Sequence, residues 1–304
     1  MSSTAAENKK NTLKLVGAAS CSGAQDTRCD MGPTIIHSSN IISRLKQAGI
    51  TADWEQNLHP HVHNSDAESI ADLCTQLAKE VSNIADNKNR FAVIGGDHSC
   101  AIGTWSGAAN ALRNKALNSA AHHHGSLGLI WIDAHMDSHT PETSPSGAYH
   151  GMPLACLLGH GHQALLDIGY IGTKLQPEHV CLIGVRSYES AEASLLKQAG
   201  VRVFFMDEIR QRGLKAVIND ALDIVDNTDG FGVSIDMDAI DPVDAPGVGS
   251  PTQDGIMAEQ LLNELPQLKS RKNFIGAEIT EFNPFRDVND KTANLVVDLV
   301  CALA

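Results

Sequence analysis

Acidic and histidine residues recur in this chain where apolar runs end: GGDHS at 95–99, WIDAHMD at 131–137 and SIDMDAIDP at 234–242. The run FAVIGGDHS delivers Asp97 and His98. The run LGLIWIDAHMD delivers Asp133, His135 and Asp137, at a spacing of two that puts all three on one side of an extended segment. GFGVSIDMD delivers Asp236 and Asp238 with the same spacing, and NFIGAEITE delivers Glu278 and Glu281. Carboxylate oxygens mixed with imidazole nitrogens suit manganese or a similar divalent transition ion. Four aspartates bring a charge of -4, which two divalent ions balance; one ion alone leaves the site anionic and costly to bury. Two ions sharing a water make a nucleophile at neutral pH, so the pattern points to hydrolysis.

Such side chains need a rigid frame, and the rest of the sequence supplies one. Short apolar, β-branched runs at 13–18, 50–55, 91–95, 127–133, 180–184, 201–206, 231–236 and 274–279 read as strands, and helical patterns alternate with them. The expected fold is α/β, a three-layer α/β/α arrangement with a mostly parallel eight-stranded sheet and helices on both faces. In such an open sheet, ligands bind beyond the carboxyl ends of the strands. Ile70, Leu73, Leu77, Val81 and Ile84 fall on one stripe of a helix over 66–85, with Ser65 and Glu68 as its capping box. A C-terminal helix carries Leu295, Val296, Leu299, Val300 and Leu303, and Pro266 interrupts a helix that begins after Met257. The segment 138–149, rich in Thr, Ser, Pro and Gly, reads as a functional loop. Residues 1–304 form one domain in this reading, with residues 1–11 a flexible lead.

Composition narrows the function classes. A net charge of -13 without a dense Lys/Arg stripe excludes nucleic acid as the expected partner and favours a small cationic substrate. Seven cysteines without CxxC spacing read as reduced thiols of a cytoplasmic protein. No apolar run reaches the length of about 18 residues that a membrane span needs.

Rival motifs fit less well. DMDAIDPVD lacks calcium-loop spacing, since the sixth position from Asp236 is Asp241 and the twelfth is Gly247. Gly95 and Gly96 are not followed by GK[ST] or GxGxxG, and no GxSxG surrounds a serine. His122, His123 and His124 read as a polar run with adventitious metal affinity, and His59, His61 and His63 as surface or structural residues. An aspartate after a strand is also a common helix cap.

Taken in order, DMGP at 30–33, GGDHS at 95–99, DAHMD at 133–137, TSPSGAYHGMPLA at 143–155, IGVRS at 183–187, DMDAIDPVDAPGVGSP at 236–251 and EITEFNP at 278–284 resemble the arginase (ureohydrolase) family, in its bacterial type, over nearly the whole chain. The resemblance implies two Mn2+ per chain, one held by His98, Asp133, Asp137 and Asp236 and the other by Asp133, His135, Asp236 and Asp238, with Asp133 and Asp236 bridging. It implies that a hydroxide between the ions attacks a guanidinium carbon, releasing urea and an amine. His150 moves a proton to the leaving group and Glu281 pairs with the guanidinium in that scheme. It further implies a homo-oligomer, trimer or hexamer, and a substrate-binding set of His139, Ser146, Glu189, Glu192 and Ser250.

The chain departs from the family pattern in that set. His139 and Ala148 stand where arginases carry asparagines that grip the substrate carboxylate, and Glu189 replaces an aspartate. Losing an amide removes a hydrogen bond worth about 1 to 3 kcal/mol, although a protonated His139 could attract the carboxylate instead. The departure predicts weak arginine affinity, while the six filled ligand positions and the loop around His150 keep arginine the expected substrate. Agmatine, another guanidino acid or formiminoglutamate is the alternative, while a noncatalytic metal-binding protein requires a missing ligand that the sequence does not show. A zinc deacetylase on a related fold predicts one metal rather than two.

Overall fold

Eight strands run through the chain: β1 (Leu13–Ala18), β2 (Ala52–Leu58), β3 (Arg90–Gly95), β4 (Leu127–Ile132), β5 (Val180–Val185), β6 (Arg202–Phe205), β7 (Gly230–Asp236) and β8 (Phe274–Thr280). They come from a computed structural model that describes residues 12–26, 28–61, 63–119 and 125–304. All neighbours pair in parallel, in the order β2-β1-β3-β8-β7-β4-β5-β6. The run His122 to His124 and the segment 1–11 lie outside the described residues.

The sheet is parallel because each strand return is made over a face, and alternation within the strands feeds both faces. Leu13, Leu15, Ala92, Ile94, Ile130, Ile132, Val233 and Ile235 pack to one side with the helices Leu214–Val225, Ala258–Lys269 and Lys291–Leu303. Val16, Ala18, Phe91, Val93, Leu129 and Trp131 pack to the other, against the helices Asp66–Asp86 and Ala101–Leu117. Strands buried on both faces carry no polar alternation, which is why they read as continuous apolar runs.

The helix Asp66–Asp86 begins where the sequence places it, with the Ser65 hydroxyl accepting the Glu68 N–H at 3.3 Å. The return half of the expected box is displaced by one residue, since the Glu68 carboxylate takes the Asn64 N–H at 3.3 Å. Three other expectations need correction. Strand β2 lies further along than 50–55, because this edge strand is largely exposed and its apolar residues mark only part of it. The helix Ala258–Lys269 continues through Pro266 to one further turn; proline removes a single N–H, and Leu261, Leu265 and Leu268 still bury one stripe. Cys21 and Cys29, with Cα atoms 5.9 Å apart in one loop, are joined by a disulfide, whereas Cys74, Cys100, Cys156, Cys181 and Cys301 are free thiols.

The strands that end in acids or histidines are contiguous in the sheet centre: β3, β8, β7 and β4. Their register is level, with Ile94 opposite Ile279, Ile279 opposite Ile235, and Ile235 opposite Ile132. Residues far apart in sequence therefore leave the sheet at one height. Gly96 closes this edge by donating to the Ala18 carbonyl at 2.8 Å and accepting the Glu281 N–H at 2.7 Å. A side chain there would meet the Ser20 carbonyl oxygen at 2.0 Å, which explains the second glycine of GGDHS.

Candidate metal centre

His98, Asp133, Asp137 and Asp236 converge beyond the central strands, all buried, with one ligand atom from each lying within 4.8 Å of the others. His98 Nδ1 is 3.3 Å from Asp133 Oδ2, 3.0 Å from Asp137 Oδ2 and 3.1 Å from Asp236 Oδ2. A second group of Asp133, His135 and Asp238 adjoins it, with His135 Nδ1 3.2 Å from Asp238 Oδ2 and 3.5 Å from Asp133 Oδ1. Of the two residues expected to bridge, Asp133 belongs to both groups. Asp236 belongs to the first, and its other oxygen accepts the Asp238 N–H at 2.8 Å.

The backbone is bent to make this arrangement. Asp137 and Glu281 both have positive φ, 47° and 64°, a conformation that costs non-glycine residues energy and persists where surroundings enforce it. The Asp137 carbonyl accepts the Leu154 N–H at 2.9 Å, which ties the ligand loop to the helix Pro153–Leu157 behind His150.

Several residues that orient the ligands escaped sequence reasoning. Trp131 donates its indole N–H to Asp133 Oδ2 at 2.9 Å and stacks on the His98 ring, centroids 4.2 Å apart. His98 Nε2 lies 3.0 Å from the Ser234 hydroxyl, which donates to Glu278 at 2.8 Å. Glu278, read from sequence as a residue of the site edge, is instead inside β8 and also held by Thr104 and the Trp105 indole. Such partners fix the ring and tautomer of a ligating histidine. The signal in the sequence was their i, i+2 spacing to Asp133 and Asp236, which puts Trp131 and Ser234 on the same strand faces. Arg186 of the IGVRS motif spreads its guanidinium over the carbonyls of Gly184, Asp238, Ala239, Thr252 and Gln253, and so pins the Asp238 loop. Asp97 is a cap: its oxygens accept the Ser99 and Gly23 N–H groups.

The electrostatics fit a pair of cations. Burial opposes a charge on His98, yet hydrogen bonds with Asp133, Asp137 and Asp236 hold its imidazole well above the usual histidine range. Burial, then repulsion from Asp133, lifts Asp137 to about 7, and burial with Asp238 and Asp133 pushes Asp236 well up. Buried acids retain protons when negative charge is uncompensated. Four carboxylates and two imidazoles in two adjoining groups constitute a donor set that suits divalent ions.

One cavity of about 180 Å³ opens onto the centre, lined by His135, Asp137, His139, Pro145, Ser146, His150, Gly151, Glu189, Glu192, Asp236, Asp238 and Ser250. Glu281 sits beside it, buried, with Oε1 accepting the His98 N–H at 2.9 Å and lying 3.0 Å from His150 Nδ1. Burial lowers the basicity of His150, but the hydrogen bond and charge of Glu281 outweigh it and raise the imidazole to about 9. Glu281 falls below its ordinary range in spite of burial because His150 faces it. At the outer rim, Glu189 and Glu192 form the capping box of the helix Ser190–Ala199, and His139 Nε2 is 3.1 Å from Glu189 and 3.5 Å from Glu192.

The arginase family model matches residues 11–304 of the chain. This chain belongs to the arginase family. It is 36% identical to the arginase of Bacillus subtilis, covering 96% of this chain and 97% of that protein, and 34% identical to the arginase of Bacillus caldovelox with the same coverage. The crystal structure of the Bacillus subtilis arginase superposes with a TM-score of 0.87 at 37% identity, over 96% of this chain and 98% of that one. The structure of formimidoylglutamase from Bacillus subtilis shares the fold at a TM-score of 0.76 and 22% identity, covering 96% and 86% of the two chains. As a member of the arginase family the chain is a ureohydrolase, a hydrolase of C–N bonds, and its buried His/Asp groups agree with the binuclear manganese centre of that family. No helix among the described residues is long and apolar enough to cross a membrane.

Proposed function

We propose that the protein is a binuclear manganese amidinohydrolase that converts L-arginine to L-ornithine and urea. The observation that carries this reading is the pair of adjoining His/Asp groups sharing Asp133 at the floor of a small acidic cavity. His98, Asp133, Asp137 and Asp236 would hold one ion, and Asp133, His135, Asp236 and Asp238 the other. Two divalent ions held there would supply the Lewis acidity that makes water nucleophilic toward a guanidinium carbon at neutral pH.

The chain's own residues do the rest. Glu281, fixed by the His98 N–H and by His150, accepts from the planar guanidinium and orients its carbon toward the floor. His150, kept protonated by Glu281, gives its proton to the amine nitrogen that leaves. Glu189, Glu192, Ser146 and Ser250 at the rim face the far end of the substrate.

Urea release by the manganese-loaded enzyme from arginine, agmatine and several guanidino acids tests the proposal, and no turnover of any of them would refute it. A second reading, a sibling hydrolase acting on agmatine, another guanidino acid or formiminoglutamate, is favoured by His139 at the rim and by Ala148 two residues after the rim serine Ser146. A cytoplasmic homo-oligomer, trimer or hexamer, completes the proposal; sedimentation of the purified enzyme measures the assembly.

A further inference from the structure

We infer that the cavity selects its substrate by a distal ammonium and disfavours a neighbouring carboxylate, and that His139 sets this preference. The inference rests on the guanidinium chemistry proposed above and concerns the opposite end of the same ligand.

His139 is buried, and both of its ring nitrogens are taken by the protein. Nδ1 lies 3.2 Å from the Thr143 hydroxyl and Nε2 lies 3.1 Å from Glu189 Oε2, so neither is free to donate to a ligand, whichever carries the proton. Its backbone N–H is spent on the Gly151 carbonyl at 3.0 Å, which fixes the ring in place. Ala148, beside the rim serine, presents a methyl group, and its N–H is taken by Ser146 Oγ at 3.2 Å. No lysine or arginine lines the cavity. Two carboxylates and two hydroxyls remain at the rim, those of Glu189, Glu192, Ser146 and Ser250.

Such a rim accepts hydrogen bonds and carries the negative charge of Glu189, whose carboxyl is held below its ordinary range by hydrogen bonds with Glu192 and His139, while burial lifts the Glu192 carboxyl to about 7. An ammonium placed there gains charge-assisted bonds, whereas a carboxylate meets like charge and too few donors, the condition under which a site discriminates by repulsion. Glu192 is steady in this role because its two oxygens receive the Ser138 and Glu189 N–H groups at 3.1 and 3.0 Å. His139 clamps Glu189 next to it and joins the metal-ligand loop to the helix Ser190–Ala199. The substrate class that fits is a guanidino amine on a short aliphatic chain, for which a carboxylate adds nothing.

The test compares kcat/KM for urea release by the manganese-loaded enzyme on arginine, arginine without its carboxylate (agmatine) and arginine without its α-amino group. Agmatine is expected to equal or exceed arginine, and the acid lacking the amine to fall by roughly 100-fold. In His139→Asn the clamp is lost and an amide donor appears, so the arginine-to-agmatine ratio rises by about tenfold with manganese content unchanged. The inference is overturned if arginine exceeds agmatine by about tenfold or more in the wild-type enzyme, or if the amine-free acid is used as well as agmatine. Those results leave the hydrolytic reading standing; failure to hydrolyse all three removes both. The wild-type series decides the ammonium preference even if the variant does not fold, and a folded variant whose arginine-to-agmatine ratio is unchanged overturns the role of His139.

Discussion

The floor and the rim of the cavity are built on different principles. The floor residues His98, Asp133, Asp137, Asp236 and Asp238 are buried, emerge from three central strands, β3, β7 and β4, and are oriented by Trp131, Ser234 and Arg186. The rim residues His139, Ser146, Glu189 and Ser250 sit on loops or a helix start, and most are exposed. Chemistry that tolerates little displacement is placed where the sheet fixes position, while recognition is placed where residues change without disturbing the core. Glu192, a rim residue that is buried because it also caps a helix, joins the two regions.

Perturbing the floor should be far costlier than perturbing the rim. Asp133→Asn removes the donor common to both groups; bound manganese measured by elemental analysis should fall from two per chain toward none, and urea release by about a thousandfold or more. His150→Asn should lower kcat by about a hundredfold with manganese content intact, which separates proton delivery from metal binding. The same variant carries a pH signature. His150 is raised to about 9, and its protonated form is the acid, so wild-type turnover should decline as pH rises through that value; the variant should lack the decline. An alkaline limb that survives in His150→Asn would contradict the assignment.

A smaller effect is expected one layer out. Ser234→Ala breaks the connection between His98 Nε2 and Glu278; manganese affinity from titration should weaken by about 10 to 100-fold, with kcat recovered at saturating metal. Smallest is Ser65→Ala at the distant helix cap, which should cost about 1 kcal/mol in denaturant unfolding and leave kcat/KM unchanged. A loss of activity there would erase the distinction between site and scaffold.

Much of the floor was legible in the sequence because it lies at the ends of strands buried on both faces. Continuous apolar runs such as LGLIWI reveal the strand, and the abrupt change to DAHMD reveals the edge. β2 was displaced in the reading because an exposed edge strand lacks such a run. The support of His98 by Ser234 and Glu278 was hidden because it joins three strands whose order is set by tertiary pairing. The rim was hidden for another reason. His139 could be seen as a departure, but only the loop conformation shows that Thr143 and Glu189 occupy its nitrogens. The disulfide between Cys21 and Cys29 likewise depends on how a loop folds back, and spacing alone did not disclose it.

The most direct test of the account is anomalous diffraction at the manganese edge from crystals grown with the metal. Two peaks are predicted on either side of Asp133, one contacted by His98 and Asp137 and the other by His135 and Asp238. A single peak, or manganese bound elsewhere with these side chains apart, would contradict it.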